Sequence, residues 1–82
     1  MRRKLTDTQV RALRFIHDYI KSNDYAPTSK EIGEALGISI GTASIRIFHL
    51  LGHDYLRKTE TGQYGRKIAL TEKGISTCDS DK

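Results

Sequence analysis

Eighty-two residues are enough for one folded domain and too few for two. Apolar residues make up 37% and charged residues 29%, which is typical of a globular domain rather than of a disordered chain. No apolar stretch approaches the ~20 residues that cross a bilayer, and no hydrophobic signal core follows the basic N-terminus. The single cysteine, Cys78, excludes an internal disulfide, so we expect a reducing cytoplasm.

The net charge of +4 is unevenly distributed along the chain. Residues 1–70 carry 12 basic against 7 acidic side chains, a net charge of +5, whereas residues 71–82 carry 2 against 3, a net charge of −1. The basic part therefore coincides with the expected folded body. This pattern favours a polyanionic partner, although a solvated basic face without any partner has the same signature.

Helix 1 is predicted to begin after Thr6 and to end by Asn23. Thr6 and Gln9 have the spacing of a capping box. Phe15 and Tyr19 lie beside the main apolar stripe, so core packing is their default interpretation and a contact between two subunits is the alternative. The stripe itself has helical spacing and comprises Val10, Leu13, Ile16 and Ile20.

Two further helices are predicted close together. Thr28 and Glu31 form a second capping box at the start of helix 2, and Gly37 is its expected C-terminal stop. Ser39 is the expected N-cap of helix 3, which Asp54 ends. The two helices are expected to share one core, in which small Ala35 and Ala43 allow close approach, built from Ile32, Ala35, Leu36, Ile38, Ala43, Ile47 and Leu50.

A hairpin is predicted next, with strands over residues 55–59 and 67–70 and a glycine-containing loop between them. Thr71 is expected to cap a final turn that ends at Gly74. The predicted fold is α+β, mostly α: a winged helix-turn-helix, or three-helix bundle with a two-stranded β-hairpin wing. Its expected organisation is a basic arm over residues 1–4, the domain over 5–74 and a flexible polar tail over 75–82.

The arrangement of helices 2 and 3 carries the functional prediction. Two helices joined by a tight glycine-containing turn form the helix-turn-helix unit. The second helix of that unit enters the major groove and reads base edges near its N-terminus, while the first crosses the backbone. Double-stranded DNA is therefore the predicted partner.

Three stretches of the sequence resemble known bacterial regulators. Residues 28–39, followed by Thr42-Ala43-Ser44, resemble the helix-turn-helix of winged-helix regulators. The start of helix 1 at Leu5-Thr6, the step at residues 27–28 and the GRKIAL stretch at 65–70 are similar to the DNA-binding domain of LexA repressors, and the LTEKG stretch at 70–74 resembles MarR-type regulators. The resemblance covers about residues 5–74 and implies this fold and DNA binding. LexA repressors continue into a self-cleaving domain with no counterpart in these residues, so self-cleavage is not implied.

The outward face of helix 3 is poor in the Arg, Lys, Asn and Gln side chains that usually contact base edges. Ile45 can meet thymine methyl groups and Gly41 allows the backbone to approach DNA. An apolar protein contact through Ile45 and Phe48 is the alternative. The predicted DNA contacts of this helix are Ser39, Ile40, Gly41, Thr42, Ser44, Ile45, Arg46 and His49.

Other segments are predicted to supply phosphate contacts. The start of helix 2 offers hydroxyls, amides and charge through Thr28, Ser29 and Lys30. The wing is expected to reach the backbone or the minor groove, with an ordinary solvated hairpin as the alternative, through Lys58, Gln63, Tyr64, Arg66 and Lys67. The basic arm over residues 2–4 is either a minor-groove arm or a solvated terminus.

Catalytic and metal-binding patterns find little support. His49 and His53 are four residues apart, as zinc ligands can be, but no third or fourth ligand completes a site. No phosphate-cradling glycine loop or nucleophile elbow is present in the sequence. We therefore predict no enzyme, no metal, no cofactor and no small-molecule ligand.

The sequence predicts a sequence-specific transcription regulator, a repressor that binds duplex DNA as a homodimer. We expect a bacterial, archaeal or phage-encoded protein that is cytoplasmic and associated with the nucleoid. The residues considered for contacts between subunits are Phe15, Tyr19 and Phe48. Two alternatives stay open: a protein-interaction winged helix, such as an antirepressor or an assembly subunit, and a nonspecific nucleic-acid-binding factor of replication or recombination.

Overall fold

The computed structural model describes residues 6–60 and 67–80. Three helices precede a two-stranded antiparallel hairpin, and a fourth helix follows it. This order confirms the predicted mostly helical winged helix-turn-helix. The elements are α1 (Asp7–Asn23), α2 (Ser29–Leu36), α3 (Ile40–Gly52), β1 (Leu56–Lys58), β2 (Ile68–Leu70) and α4 (Glu72–Ser80).

Both ends of α1 are capped by hydrogen bonds, and those at its start form the predicted capping box. The Thr6 hydroxyl accepts from the backbone N–H of Gln9 at 3.2 Å, and the Gln9 side chain accepts from the backbone N–H of Thr6 at 3.1 Å. Asp24 closes the helix in the left-handed region with φ of 66°. The predicted stripe is buried at Val10, Leu13 and Ile16, together with Ala12.

The α2–α3 pair has the geometry of a helix-turn-helix unit. Thr28 caps α2 through the predicted box with Glu31, and the Ser39 hydroxyl accepts from the backbone N–H of Thr42 at the start of α3. Between the helices, Gly37 adopts φ of 72°, which a glycine tolerates without steric cost. The chain bends by 108° between α2 and α3, within the range that such motifs adopt.

The close approach between α2 and the turn is made by Gly33 and not by Ala35. Ala35 is exposed, so its predicted place in the shared core is wrong. Gly33 is buried, and a Cβ built on it would lie 2.7 Å from the carbonyl oxygen of Ile38. The two residues are about 200° apart around the helix, so only one of them can face the turn. Ala43 is fully buried, as expected.

The hairpin is shorter than predicted. Each strand has three residues, and the pairs in register are Leu56 with Leu70, 57 with 69, and Lys58 with Ile68. One further backbone hydrogen bond, from Thr59 N–H to the Lys67 carbonyl oxygen, extends the pairing toward the wing tip. The strand start at residues 55 and 56 is buried in the core, which anchors the wing to the helices.

The C-terminal segment differs from the flexible tail predicted from Ile75. Thr71 caps α4, as expected, by accepting from the backbone N–H of Gly74 at 3.0 Å, but the helix continues to Ser80. Cys78 is buried in the core cluster. A Cβ on Gly74 would collide with the Tyr55 carbonyl oxygen. The tail prediction is therefore wrong for residues 75–80, because one glycine and one cysteine let a polar segment pack closely.

Within the part of the chain that the structure describes, no single helix is both long enough and apolar enough to cross a membrane. The α2–α3 pair reaches that length and composition only when its two bent segments are taken together.

Candidate nucleic-acid interface

The two sides of α3 differ sharply in exposure. On the side of α3 that faces the core, Ala43 and Leu50 are fully buried. On the opposite side, exposure reaches 55% for Ile40, 56% for Ile45 and 72% for Phe48. Gly41 is also exposed. We call this side, comprising Ile40, Gly41, Ser44, Ile45, Phe48 and His49, the outer face of α3; the face is open, convex and largely apolar.

One edge of the outer face is joined to the start of α2. The Ser44 hydroxyl donates to the Ser29 hydroxyl at 3.1 Å, across the helix-turn-helix. Lys30, the next residue of α2, is exposed. The hydroxyl of Thr28 is occupied as an acceptor by the capping box. The structure thus brings together the predicted contacts of α2 with those of α3 in one surface.

Thr42 differs from its predicted outward position. It is half-buried, and its hydroxyl accepts a hydrogen bond from the Ser39 hydroxyl at 3.0 Å. The same Ser39 hydroxyl accepts from the Thr42 backbone N–H at 3.1 Å. Both side chains therefore help to cap α3, and Thr42 lies at the border of the outer face rather than on it.

The other edge of the outer face meets the first turns of α1. Gln9 Nε2 lies 3.2 Å from His49 Nδ1, a contact that links two segments 40 residues apart. Arg46 is half-buried below His49 and lines a small cavity of about 60 Å³, together with Thr8, Arg11, Leu36 and Ile38. Sequence reasoning missed Gln9 and Arg11 as neighbours of α3. The capping box predicted a hydrogen bond to the Gln9 amide oxygen. It gave no indication of the partner of the amide nitrogen, which is His49.

The described part of the wing carries exposed basic side chains. Lys58 at the end of β1 and Lys67 just before β2 are both exposed, on either side of the hairpin. The remaining predicted wing contacts, Gln63, Tyr64 and Arg66, lie outside the described residues, as does the predicted arm over residues 1–4.

Phe15 and Tyr19 make contacts within their own chain. Phe15 packs against the core, and its ring centroid lies 5.8 Å from that of Tyr19. The Tyr19 hydroxyl donates to the Glu31 carboxylate at 3.2 Å, and its ring lies 5.8 Å from that of Tyr25. These contacts agree with core packing, while a role between subunits stays a prediction.

Across residues 6–60 and 67–80, no three His, Cys, Asp or Glu side chains come close enough together to hold a metal ion. The two histidines with metal-ligand spacing have separate surroundings in the structure. His49 contacts Gln9, and His53 is the C-terminal cap of α3.

Solved structures with a similar fold include one that is a complex with DNA. The MepR–DNA complex of S. aureus superimposes with a TM-score of 0.75 at 22% identity, covering 93% of this chain and 53% of that chain. The reduced form of MarR from E. coli gives a TM-score of 0.74 at 18% identity, covering 94% of this chain and 54% of that chain. At these identities the similarity shows the winged-helix fold alone.

Sequence similarity points to a narrower group. A LexA repressor of Leuconostoc citreum is 38% identical over 68 residues, covering 82% of this chain and 32% of that protein. A LexA repressor of Oenococcus oeni is 41% identical over 68 residues, covering 82% and 31%. The chain thus spans about a third of the length of these relatives. The family model of the LexA DNA-binding domain matches residues 2–61, so the chain belongs to the LexA DNA-binding domain family.

Proposed function

We propose that this chain is the DNA-binding part of a sequence-specific transcriptional repressor that acts on duplex DNA in the bacterial cytoplasm. Family membership and the winged-helix fold support this function. The observation that carries it is the outer face of α3, which is exposed along its length and continuous with the start of α2 through the bond between Ser44 and Ser29.

In the proposed complex, α3 lies in the major groove, whose width of ≈ 12 Å admits a helix. Ile40 and Ile45 contact thymine methyl groups, and Gly41 lets the helix approach the base edges. The Ser44 hydroxyl lies at the edge of the face beside α2, and a serine hydroxyl can bond to a base of either kind. Specificity therefore rests on shape and methyl contacts more than on charged side chains.

Phosphate contacts come from the surroundings of α3. The start of α2 supplies backbone N–H groups, the Ser29 hydroxyl and the exposed charge of Lys30. The wing adds two exposed lysines, Lys58 at the end of β1 and Lys67 just before β2. These groups position the domain on the duplex without reading its sequence, and they give binding its dependence on salt.

A homodimer completes the proposal. Two copies related by a two-fold axis would place their α3 helices in half-sites about 34–36 Å apart, so the operator is a pseudo-palindrome. Phe15, Tyr19 and Phe48 are the candidate contacts between subunits. We infer a binding role without catalysis, because the family model describes a DNA-binding domain.

Selection of bound duplexes from a random pool tests this function. We expect enrichment of one pseudo-palindromic sequence with a fixed half-site spacing. A complex with 6–10 phosphate contacts loses about 10³–10⁵ in affinity between 50 and 200 mM salt. A pool without enrichment, or a complex that is insensitive to salt over this range, contradicts the proposal. Salt-dependent binding without enrichment identifies a nonspecific nucleic-acid-binding factor instead.

The exposed apolar side chains of α3 favour one second candidate, a protein-interaction winged helix. Ile40, Ile45 and Phe48 are all more than half exposed on the same face. Such a patch is typical of a protein contact. This candidate predicts a stoichiometric protein partner and no duplex affinity above the nonspecific level.

A further inference from the structure

The Gln9 side chain connects the start of α1 to the outer face of α3 through both ends of its amide. Its oxygen Oε1 accepts from the Thr6 backbone N–H at 3.1 Å. Its nitrogen Nε2 lies 3.2 Å from Nδ1 of His49. One amide therefore takes part in the capping box and also contacts a residue of the candidate interface.

Hydrogen-bond chemistry fixes the direction of each contact. A backbone N–H can only donate, so the amide atom that faces Thr6 must be the oxygen. The NH₂ group then faces His49, and because NH₂ can only donate, Nδ1 of His49 must accept. A neutral imidazole whose Nδ1 accepts carries its proton on Nε2. The capping box of α1 thereby selects one tautomer of a histidine on α3.

His49 is placed to use that proton outside the chain. The residue is exposed and lies one turn after Ile45 on α3. Its ring is tilted by 50° against that of Phe48, at a centroid distance of 6.4 Å. Among the described residues, the structure records no partner for Nε2. The N–H of this nitrogen is therefore a hydrogen-bond donor with a fixed position at the edge of the outer face and no recorded acceptor among the described residues.

We propose that Gln9 is a positioning residue that holds His49 in the Nε2–H tautomer, and that His49 donates this hydrogen bond to an acceptor atom of duplex DNA. The acceptor is a phosphate oxygen or the O6 or N7 of guanine, which share this chemistry. The proposal rests on the DNA-binding function of α3 proposed above. It assigns to the interface a neutral, directed donor in place of the charged side chains that α3 lacks.

The first test uses the free 82-residue chain. At pH 8.5, long-range ¹⁵N–¹H correlation spectra of the histidine rings report which nitrogen carries the proton. We expect His49 to be Nε2–H with a hydrogen-bonded Nδ1, and His53, which serves as the reference, to lack that bond. Gln9→Glu keeps an acceptor for Thr6 but offers His49 a second acceptor, so the proton is expected to move to Nδ1. An Nδ1–H ring in the unmodified chain, or an unchanged His49 signal in Gln9→Glu, overturns the proposal.

The second test measures affinity for the selected duplex. His49→Phe keeps the ring shape without its donor, and we expect a loss of about threefold to tenfold, as for one hydrogen bond. His49→Gln, whose amide reaches the Nε2 position, is expected to restore most of the affinity. Equal affinity of the unmodified chain and His49→Phe, or failure of the glutamine to restore binding, contradicts a donor role.

A double-mutant cycle separates the tautomer from the added charge of Gln9→Glu. At the same pH of 8.5, we expect Gln9→Glu to weaken binding about as much as His49→Phe does, and to have little further effect in the His49→Phe background. If electrostatic repulsion of DNA were the cause, both backgrounds would lose equally, which would overturn the positioning role.

A panel of duplexes identifies the acceptor. A phosphate contact weakens all sequences alike in His49→Phe, whereas a guanine contact changes the preference at one position. Because the donor is neutral, the slope of affinity against salt stays unchanged in either case. Failure of the unmodified chain to bind any duplex would contradict the proposed DNA-binding function. The spectra of the free chain test the tautomer of His49 independently of that result.

Discussion

The two sides of α3 are both apolar, yet they have opposite surroundings. Ala43 and Leu50 are completely covered by neighbouring elements, whereas Ile45 and Phe48 are mostly exposed. Burial of an apolar side chain stabilises a fold only when water is actually removed from it. The inner side therefore contributes to folding and the outer side does not. The chain keeps large apolar residues where stability gains nothing from them, which is the expected signature of a binding face.

The largest expected difference in stability is between a truncation on the inner side of α3 and one on its outer side. Leu50→Ala leaves a cavity in the core and is expected to lower the free energy of unfolding by about 2–5 kcal/mol. Phe48→Ala, which removes a larger side chain from the outer face, is expected to change it by less than about 0.5 kcal/mol. Urea denaturation followed by circular dichroism measures both. Similar losses in the two variants would show that the outer face is packed in solution.

The next effect concerns the turn that sets α3 against α2. Gly33→Ala places a Cβ about 2.7 Å from the Ile38 carbonyl oxygen, and backbone cannot move aside cheaply. We expect a loss of about 1–3 kcal/mol in unfolding free energy, as for overpacking elsewhere. Gly52→Ala is the matched control, since nothing lies within 4 Å of its Cβ position. It is expected to be neutral or stabilising by up to about 1 kcal/mol. Equal stability of the two variants would argue against the close approach.

The fold could be predicted where the relevant signals are local in the sequence. The capping boxes at Thr6 and Thr28 and the glycine stop at Gly37 involve residues within one turn of each other, and all three are present in the structure. The outer position of Ile45 and Phe48 followed from helical spacing alone. Such features need no knowledge of the tertiary arrangement.

What the sequence did not reveal depends on packing between distant segments. Gly33 and Gly74 leave no room for a side chain, because a carbonyl oxygen from elsewhere in the fold lies close to each of them. No local sequence pattern predicts such an approach. The part of α4 beyond Gly74 packs on the core through the buried side chain of Cys78. The polar composition of this segment gave no indication of that packing. The contact between Gln9 and His49 joins residues 40 positions apart. Each of these is a consequence of the fold and could be found only after it was known.

A smaller effect is expected at the rim of the outer face. Lys30→Ala removes one phosphate contact, so we expect uniform weakening across sequences and a decrease of about 1 in the slope of log affinity against log salt. Lys21→Ala, in the last turn of α1 and not among the predicted DNA contacts, is the control with the same charge change and is expected to leave the slope unchanged. Titration of the selected duplex at several salt concentrations measures both slopes. A change of the preferred sequence in Lys30→Ala would contradict a phosphate contact.

The most direct test of the binding face is Ile45→Glu, with duplex affinity and oligomeric mass measured on the same sample. The substitution puts a negative charge at the centre of the outer face without disturbing a buried group. We expect specific affinity to fall by about tenfold or more, while the mass stays that of the unmodified chain. Unchanged duplex affinity together with an altered oligomeric mass would show that this face binds protein and not DNA.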